Sequence, residues 1–224
     1  YFMMIETFKK VSLSRILQNY FLKEFNVIIN GSIIEFGATV NSKKSFCKLI
    51  SGNYTLDFAD KLSSANNINF NLEKINNLQK QYDLVIIFNV LEHVYDTSNA
   101  INEIKKILKP GGKIIGATPF LYRVHHAPED YSRYTKQFFE KLFKKNDLKN
   151  INIKELGFGP FSVCYAIIFD YIKLVPLLSN LVLTFCLILD KILNIFIKTP
   201  RQKSYPISYF FCSELPESSF FIRI

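Results

Sequence analysis

The chain contains few cysteines, and they are not arranged to hold a metal ion or a disulfide framework. The four are Cys47, Cys164, Cys186 and Cys212, with no CxxC pair and no histidine spaced to share a metal with them. Structural zinc and a disulfide scaffold are therefore disfavoured, and no metal ligands are predicted. A reducing, cytoplasmic setting is the expectation.

Signatures of disorder and of secretion are also missing. Hydrophobic residues make up 49% and charged residues 21% of the 224 residues, which excludes a disordered or collagen-like chain. Charges within the first ten residues and the lack of a small-residue cleavage site argue against a signal peptide. The length predicts one large domain, or one domain plus an appendage.

The charge balance is basic, with 28 Lys and Arg against 19 Asp and Glu and a net charge of +9. This permits anionic partners such as phosphates or the inner face of a membrane. Lysine dominates the basic residues, and asparagine and isoleucine are frequent, which indicates AT-rich codon usage. The basic charge is therefore weak evidence for nucleic-acid binding. Because there is no basic-aromatic stripe and no catalytic Asn-Pro-Pro-Tyr-type turn, no nucleic-acid partner is predicted.

Short β-prone runs alternate with stretches of helical periodicity along the first two thirds of the chain. This alternation predicts an α/β fold with a doubly wound, mostly parallel sheet covered by helices on both faces. The expected domains are an N-terminal helix at 1–30, the sheet domain at 31–155 and a hydrophobic C-terminal extension at 156–224. The predicted strands lie near 33–37, 54–58, 68–72, 83–88 and 113–119, and the predicted helices near 5–29, 99–108 and 136–149.

The C-terminal extension is strongly apolar. Between 156 and 197 the charged residues are Asp170, Lys173, Asp190 and Lys191, and 174–189 is an uncharged run of sixteen residues. A spanning helix needs about 20 apolar residues, so a transmembrane span is not favoured. Two interpretations remain open: a helical region that contacts membrane headgroups or forms a homodimer through 156–197, or an extra core layer over the sheet.

The end of the first predicted strand is a candidate ligand site, because ligands of doubly wound sheets bind at the carboxyl ends of strands. Gly37 would let the backbone approach a ligand closely, and Glu35 could bind a cationic or amine group. Asp57 follows about twenty residues later, where an acid can hold ribose hydroxyls. Taken alone, these two features are better explained by an ordinary turn glycine and a helix-capping aspartate.

Two later segments carry a family resemblance. Residues 82–94, with "DLV" and "LEHV", and residues 107–115, with "LKPGG", closely resemble the fourth and fifth strands of class I S-adenosylmethionine-dependent methyltransferases of type 11-like sequence. Residues 125–135 resemble the "H-x-P-x-DY-x-RYT" stretch of a subgroup associated with surface-polysaccharide biosynthesis. The resemblance covers roughly 30–145 and implies a Rossmann-like sheet, S-adenosylmethionine as cofactor and a small-molecule or glycan acceptor.

The resemblance also implies a cofactor cleft. Thr39 and Asn41 stand where the family has its second and third glycines, and Asn71 stands where an aspartate usually accepts from the adenine amine. An amide oxygen can still accept that hydrogen bond. The implied cofactor-binding residues are Glu35, Gly37, Ala38, Asp57, Asn71, Leu72, Phe88 and Asn89.

The three histidines of the chain all fall in segments expected at strand ends. An oxygen nucleophile needs a base, so His125 and His126 are the catalytic candidates, with Asp130 orienting an imidazole. His93 and Arg133 are predicted to bind the acceptor, Arg133 through a phosphate or carboxylate. The alternatives are that His93 hydrogen-bonds its own turn, and that Asp130 caps the next helix and pairs with Arg133.

Taken together, these features predict an S-adenosylmethionine-dependent methyltransferase that O-methylates a saccharide-related or lipid-linked acceptor. The expected location is the cytoplasm, at the inner face of the membrane if the apolar extension contacts lipid. The alternative is a non-catalytic methyltransferase-like scaffold that binds a partner or membrane through that extension. A nicotinamide-dependent dehydrogenase is disfavoured because no G-x-G-x-x-G follows the first strand.

Overall fold

The computed structural model describes residues 9–38, 45–59, 80–125, 129–197 and 204–217, together with Glu6 and Leu72. The strands are β1 (Gly31–Phe36), β2 (Tyr54–Ala59), β3 (Tyr82–Phe88), β4 (Leu108–Pro119), β5 (Lys149–Leu156) and β6 (Ser208–Glu214). The helices are α1 (Leu13–Glu24), α2 (Thr97–Ile107), α3 (Lys136–Lys145), α4 (Pro160–Ile172) and α5 (Pro176–Phe196).

The strands form one six-stranded sheet in the order β2-β1-β3-β4-β6-β5. Pairing is parallel from β2 through β4, and β6 runs antiparallel to both of its neighbours. The predicted doubly wound, mostly parallel sheet is therefore confirmed. The predicted boundary at 156 is wrong for the sheet, because β6 comes from the C-terminal extension and hydrogen-bonds between β4 and β5.

The central strand β3 shows why this sheet forms. Its continuous β-prone run is buried on both faces, as expected for a strand covered by two helical layers. Val85 and Ile87 pack into one apolar layer, whereas Leu84 and Ile86 pack into the other. Alternate side chains of β3 thus join the two halves of the core across the sheet.

The helix predicted at 5–29 is not continuous, because Lys9 and Lys10 form a turn and α1 spans only Leu13–Glu24. Ser12 caps its N-terminus, since the Ser12 hydroxyl accepts a hydrogen bond from the Arg15 backbone N–H at 3.4 Å. Asn26 adopts a left-handed conformation, with φ of 43°, just after the helix ends. The helix predicted at 99–108 is confirmed as α2. The strand predicted at 68–72 lies outside the described residues except for Leu72, which is buried in the core.

Helices α4 and α5 form an apolar hairpin whose inner side contains a buried carboxylate. Asp190 of α5 is 1% exposed and accepts hydrogen bonds from the backbone N–H groups of Phe161, at 2.9 Å, and Ser162, at 2.8 Å. These N–H groups belong to the first turn of α4 and have no partner within the helix. A carboxylate stabilises them by hydrogen bonding and by its charge. Gly159 leaves room for it, because a Cβ there would lie 2.4 Å from Asp190 Oδ1.

At the opposite end of the sheet, Asp83 joins β1, β3 and β4. Its Oδ2 accepts hydrogen bonds from the Ser32 backbone N–H at 2.7 Å, the Ser32 hydroxyl at 3.0 Å and Lys109 Nζ at 2.6 Å. Burial by itself raises the pKa of the Asp83 carboxyl. The hydrogen bonds from Lys109 and Ser32 outweigh burial, so the pKa lies below its ordinary value.

We expect Asp83→Asn to lower the free energy of unfolding by about 1–2 kcal/mol at pH 7, as for a lost hydrogen-bonded charge. A carboxyl whose pKa is lower in the folded state stabilises the protein above its unfolded pKa, about 4, and loses this effect as pH falls. Urea denaturation at several pH values should therefore show the two proteins converging in acid. Asp147→Asn, at a carboxylate that is 77% exposed, is the control with a smaller effect. A difference that is constant with pH would contradict this role of Asp83.

Candidate active site

The carboxyl ends of β1 and β3 meet at a turn without a side chain. Gly37 follows β1, has a φ of 76°, and donates its backbone N–H to the Ala59 carbonyl at 3.0 Å. A Cβ at Gly37 would lie 2.7 Å from Val90 Cγ2, closer than packing allows. Only glycine fits this turn, because the backbone has a positive φ and Val90 packs directly against it, at the sheet edge where ligands of such sheets bind.

Glu35 holds the chain that returns toward this edge. Its carboxylate is 2% exposed and accepts hydrogen bonds from the Ser45 hydroxyl at 2.5 Å, the Phe46 N–H at 2.7 Å and the Cys47 N–H at 3.1 Å. The predicted contact with an amine is thus replaced by contacts with the protein itself. Glu35 shapes the cleft by fixing this segment, and Ala38 beside it is also buried.

Phe88, predicted to bind the cofactor, also makes its contacts within the protein. Phe88 is buried and its ring stacks on that of Phe46, with centroids 3.8 Å apart and planes 17° apart. Leu72 is likewise buried, in the opposite apolar layer. Both side chains pack in the core at the edge of the site.

Asp57 lies two residues before the end of β2 rather than at its tip. Its Oδ2 accepts hydrogen bonds from the Tyr82 hydroxyl at 2.8 Å and from Lys80 Nζ at 2.5 Å. Asp60 is the residue that follows β2 in the sequence. Its side chain, and those of the predicted site residues Asn71 and His126, lie outside the described residues.

Helix α1 lies across the strand ends, which the sequence reasoning missed. Gln18 and Asn89 form a reciprocal amide pair, with Gln18 Nε2 donating at 2.9 Å and Asn89 Nδ2 donating at 3.1 Å. The Arg15 guanidinium stacks 3.4 Å from the Phe46 ring centroid, and burial lowers its pKa to about 10 although Glu35 opposes this. The sequence feature that could have indicated this role of α1 is a pair of polar residues one turn apart, Ser14 and Gln18, among the apolar residues of one helix face. Both are buried in the structure.

A pocket of ≈ 170 Å³ opens between α1 and the ends of β3 and β4. Most of its lining is polar and can donate or accept hydrogen bonds. The lining residues are Ser12, Ser14, Arg15, Gln18, Asn89, Glu92, Pro119, Tyr122 and His125. Of the predicted catalytic and binding residues, the structure thus brings Asn89 and His125 to one cavity.

An ion pair positions His125. Asp130 Oδ2 accepts hydrogen bonds from the His125 backbone N–H at 2.8 Å and from Arg133 Nη2 at 2.7 Å, and lies 3.3 Å from His125 Nδ1. The hydrogen bond from Arg133 holds the pKa of Asp130 well below its usual range, and Asp130 raises that of Arg133. Arg133 also donates to the carbonyl of Arg123 at 3.1 Å.

This geometry settles the two interpretations of the pair. The N–H groups of Arg133 hydrogen-bond acceptors in its own loop, as the alternative expected, and the side chain does not face the pocket. The interpretation that Asp130 caps α3 is wrong. Thr135 is the N-cap of α3, and its hydroxyl accepts a hydrogen bond from the Phe138 N–H at 3.3 Å. Asp130 and Arg133 therefore act on the site through the placement of His125.

His93 lies against His125 and below the pocket. Its Nδ1 hydrogen-bonds the Glu129 carbonyl, so it binds the backbone of the neighbouring loop rather than its own turn. The rings of His93 and His125 are 5.0 Å apart and nearly perpendicular. Burial, followed by the proximity of His93, lowers the pKa of His125.

Glu92 was not predicted as a site residue, yet it is the most unusual side chain here. It is 0% exposed, and neither carboxylate oxygen has a hydrogen-bond partner among the described residues. Burial raises its pKa to about 8, although its own backbone amide, which is near but not in hydrogen-bonding geometry, and the Arg133 charge oppose this. The signal in the sequence was an acid beside a histidine in the short turn Leu91–His93, shortly after the apolar strand β3.

The part of the chain that carries this site matches a family model described as a methyltransferase domain, over residues 11–159. The chain belongs to this methyltransferase-domain family. No curated protein matches the chain. The matched residues include α1, the Gly37 turn and Glu92, so the family assignment covers both this turn and the pocket.

Solved structures of similar fold place this methyltransferase domain among diverse proteins. It is 14% identical to Haemonchus contortus phosphoethanolamine N-methyltransferase 2 in complex with S-adenosyl-L-methionine, with a TM-score of 0.56, covering 89% of this chain and 52% of that one. It spans about half the length of that enzyme. A putative methyltransferase of Haloferax volcanii, in complex with the Trm112 activator, is 10% identical with a TM-score of 0.55. The match covers 89% of this chain and 89% of that one.

A third neighbour shows what such likeness leaves open. The [4+2]-cyclase SpnF is 8% identical at a TM-score of 0.52, covering 90% of this chain and 81% of that one. At these identities the likeness concerns the fold alone, and a fold does not determine a reaction. The reaction of this methyltransferase domain has to be argued from its site.

The amide pair of Gln18 and Asn89 should contribute measurably to the closure of the methyltransferase pocket by α1. We expect a double-mutant cycle of Gln18→Leu and Asn89→Gly to give a coupling energy of about 1 kcal/mol in urea unfolding. Glycine is chosen because Asn89 has a φ of 54°, which glycine adopts without strain. A coupling energy near zero would show that the two amides do not act as a pair in solution.

Proposed function

We propose that this chain is an S-adenosylmethionine-dependent methyltransferase that methylates an oxygen of a saccharide-related or lipid-linked acceptor. The observation that carries the proposal is the polar pocket at the carboxyl ends of β3 and β4, within the residues matched by the methyltransferase family. The neighbour from Haemonchus contortus, which binds S-adenosylmethionine, supports the choice of cofactor.

The residues at the strand ends fit this cofactor. Gly37 makes the positive-φ turn at the end of β1 with Val90 packed against it, and Asn89 lies at the adjoining strand end with its amide paired to that of Gln18. Gly37, Ala38 and Asn89 would hold the cofactor, with Glu35 fixing the segment around it. When bound, S-adenosylmethionine supplies a methyl group already activated on a sulfonium.

The contribution of the protein is then to hold a nucleophile close to that methyl group and in line with it. Ser12, Ser14 and Gln18 offer hydroxyl and amide groups on one wall, and Tyr122 and His125 offer aromatic rings on the other. Groups that both donate and accept suit an acceptor with several hydroxyls. Arg15 adds a positive charge for an acceptor that also carries a phosphate or carboxylate.

Calorimetric titration with S-adenosylmethionine and with S-adenosylhomocysteine tests the cofactor assignment. We expect micromolar binding that Gly37→Ala weakens at least about tenfold, equal to 1.4 kcal/mol, since the new Cβ strains the turn and collides with Val90. Gly111→Ala is the matched control. Gly111 has nearly the same φ, 75° against 76°, but its Cβ would meet only Glu217, at 3.4 Å, remote from the site.

Two results would contradict the proposal. If the folded chain binds neither ligand, the non-catalytic scaffold becomes the better description. If Gly111→Ala weakens binding as much as Gly37→Ala, the effect comes from general destabilisation and the Gly37 turn is not the cofactor site.

We also propose that the α4–α5 hairpin contacts a membrane surface, where lipid-linked acceptors are assembled. Helix α5 has its polarity reversed: it buries Ser179, Asn180 and Asp190 toward the protein. Most of its exposed side chains are apolar, among them Leu177, Leu181, Phe185, Ile188 and Ile195, and Lys191 and Asn194 are the polar exceptions. By length and composition alone, Pro176–Phe196 is the one described helix that could cross a membrane.

The hairpin tip favours lipid over a second copy of the chain. Leu174 and Val175, in the turn between the helices, are 71% and 54% exposed, and such a projecting apolar tip can enter a headgroup layer. Arg123 and Lys173 lie beside it, both paired with Asp170, and the chain as a whole carries a net charge of +9. This basic balance complements anionic lipids.

Flotation with vesicles of phosphatidylcholine and phosphatidylglycerol tests this contact. The wild type should float with the vesicles, and the double variant Leu174→Asp/Leu177→Asp should remain in the dense fraction because it would bury two charges in the headgroup layer. Ile28→Asp, at an apolar side chain that is 60% exposed elsewhere, is the control and should still float. Wild-type protein that stays unbound, or that forms a dimer which the double variant abolishes, would overturn the proposal.

A further inference from the structure

We propose that Glu92, His93 and His125 form a binding site for a divalent transition-metal cation. The three side chains come from two segments that the fold brings together, the turn after β3 and the loop after β4. The metal site stands on its own geometry, whereas its use in methyl transfer rests on the proposed function.

The distances suit a metal site. One donor atom from each of the three side chains lies within 4.8 Å of the other two, and His93 Nε2 is 3.7 Å from Glu92 Oε1. Two ligands that are each about 2.1 Å from a zinc ion, at a tetrahedral angle, lie about 3.4 Å apart. Side-chain shifts of about 1 Å would therefore bring the three donors around one cation.

Glu92 lacks the hydrogen-bond donors that surround the other buried glutamate, Glu35. Both carboxylates are buried, at 0% and 2% exposed. Glu35 accepts three hydrogen bonds from Ser45, Phe46 and Cys47, whereas neither oxygen of Glu92 accepts one from any residue that the structure describes. Buried polar groups are almost always paired, and a buried carboxylate without a partner is costly. A cation between Glu92 and the histidines would supply that partner.

The histidines are held as metal-bound histidines usually are. His93 Nδ1 faces the Glu129 carbonyl, which can only accept, so Nδ1 carries the proton and Nε2 keeps its lone pair on the side of Glu92. Such a second hydrogen bond to a carbonyl commonly orients a metal-ligating imidazole. His125 is fixed through its backbone N–H by Asp130, and the same carboxylate oxygen lies 3.3 Å from His125 Nδ1, as a carboxylate behind a metal-bound imidazole does.

The ligand set indicates the kind of metal and where it would be open. Two imidazoles and one carboxylate suit zinc, cobalt, manganese or ferrous iron better than calcium or magnesium. Three protein ligands leave at least one coordination position for another molecule. Because Glu92 and His125 also line the pocket, that position faces the cavity, where one or two acceptor oxygens would bind.

Titration of the chelator-treated protein with Co²⁺, followed by its visible absorption spectrum, tests the site without any enzymatic assay. We expect one saturating equivalent with the intense bands of a low-coordinate cobalt site, and an increase in melting temperature with Co²⁺ or Zn²⁺. Glu92→Gln and His125→Asn should each weaken binding at least about tenfold, because each removes one of three ligands. Glu103→Gln, at a buried glutamate of α2 paired with Lys106, is the matched control and should bind like the wild type.

The variants separate loss of the site from loss of the fold. Circular dichroism and thermal unfolding without metal identify a variant that does not fold, and His125→Asn, at a side chain 25% exposed, then carries the test if Glu92→Gln fails. Absence of saturable Co²⁺ and Zn²⁺ binding by the folded wild type would overturn the proposal. So would binding that survives both ligand substitutions. Failure to bind S-adenosylmethionine would leave these metal readouts unchanged and would count only against the proposed function.

Discussion

The need to compensate buried carboxylates organises this molecule at three places along its chain. Glu35, Asp190 and Glu92 are all nearly inaccessible to water, where an ionised group without a partner is unstable. Glu35 accepts hydrogen bonds from backbone and hydroxyl donors and thereby fixes the segment beside the Gly37 turn. Asp190 caps α4 and joins the two helices of the hairpin. Glu92 has no such donors among the described residues, and it lies beside the pocket, where a bound cation would satisfy it.

A second ordering principle is that the site is assembled on one edge of the sheet by elements distant in sequence. Helix α1 closes the strand ends through Gln18, and the loop after β4 is docked on the turn after β3. In that docking the Tyr131 N–H donates to the Glu92 carbonyl at 2.8 Å, and Asp130 pairs with Arg133. These contacts place His93 and His125 side by side, and His93 Nδ1 adds a hydrogen bond to the Glu129 carbonyl. His93 Nε2 faces Glu92 and is left for chemistry.

Family membership and site geometry answer different questions here. The methyltransferase-domain match accounts for the parallel strands and the Gly37 turn, but a neighbour of similar fold is a cyclase. The features particular to this chain are the unpartnered Glu92, the polar face of α1 over the pocket and a hairpin with its apolar side outward. Together they are the grounds for the three proposals made above: a hydroxylated acceptor, contact with a lipid surface and a metal ion beside the acceptor.

By itself, the sequence determined the central strands, helix α2 and the Gly37 turn, because local hydrophobic runs and turn residues decide such elements. The run at 83–88 and the "LKPGG" turn were sufficient for β3, β4 and the family resemblance. Only the tertiary structure decided that β6 inserts between β4 and β5, that Asp57 pairs with Lys80 and Tyr82, and that Arg133 faces its own loop. The cluster of Glu92, His93 and His125 belongs to the same class: His125 follows His93 by 32 residues, and no spacing rule reports a contact made by folding one loop onto another. Long-range packing brings those donors together, and local sequence patterns carry no information about it.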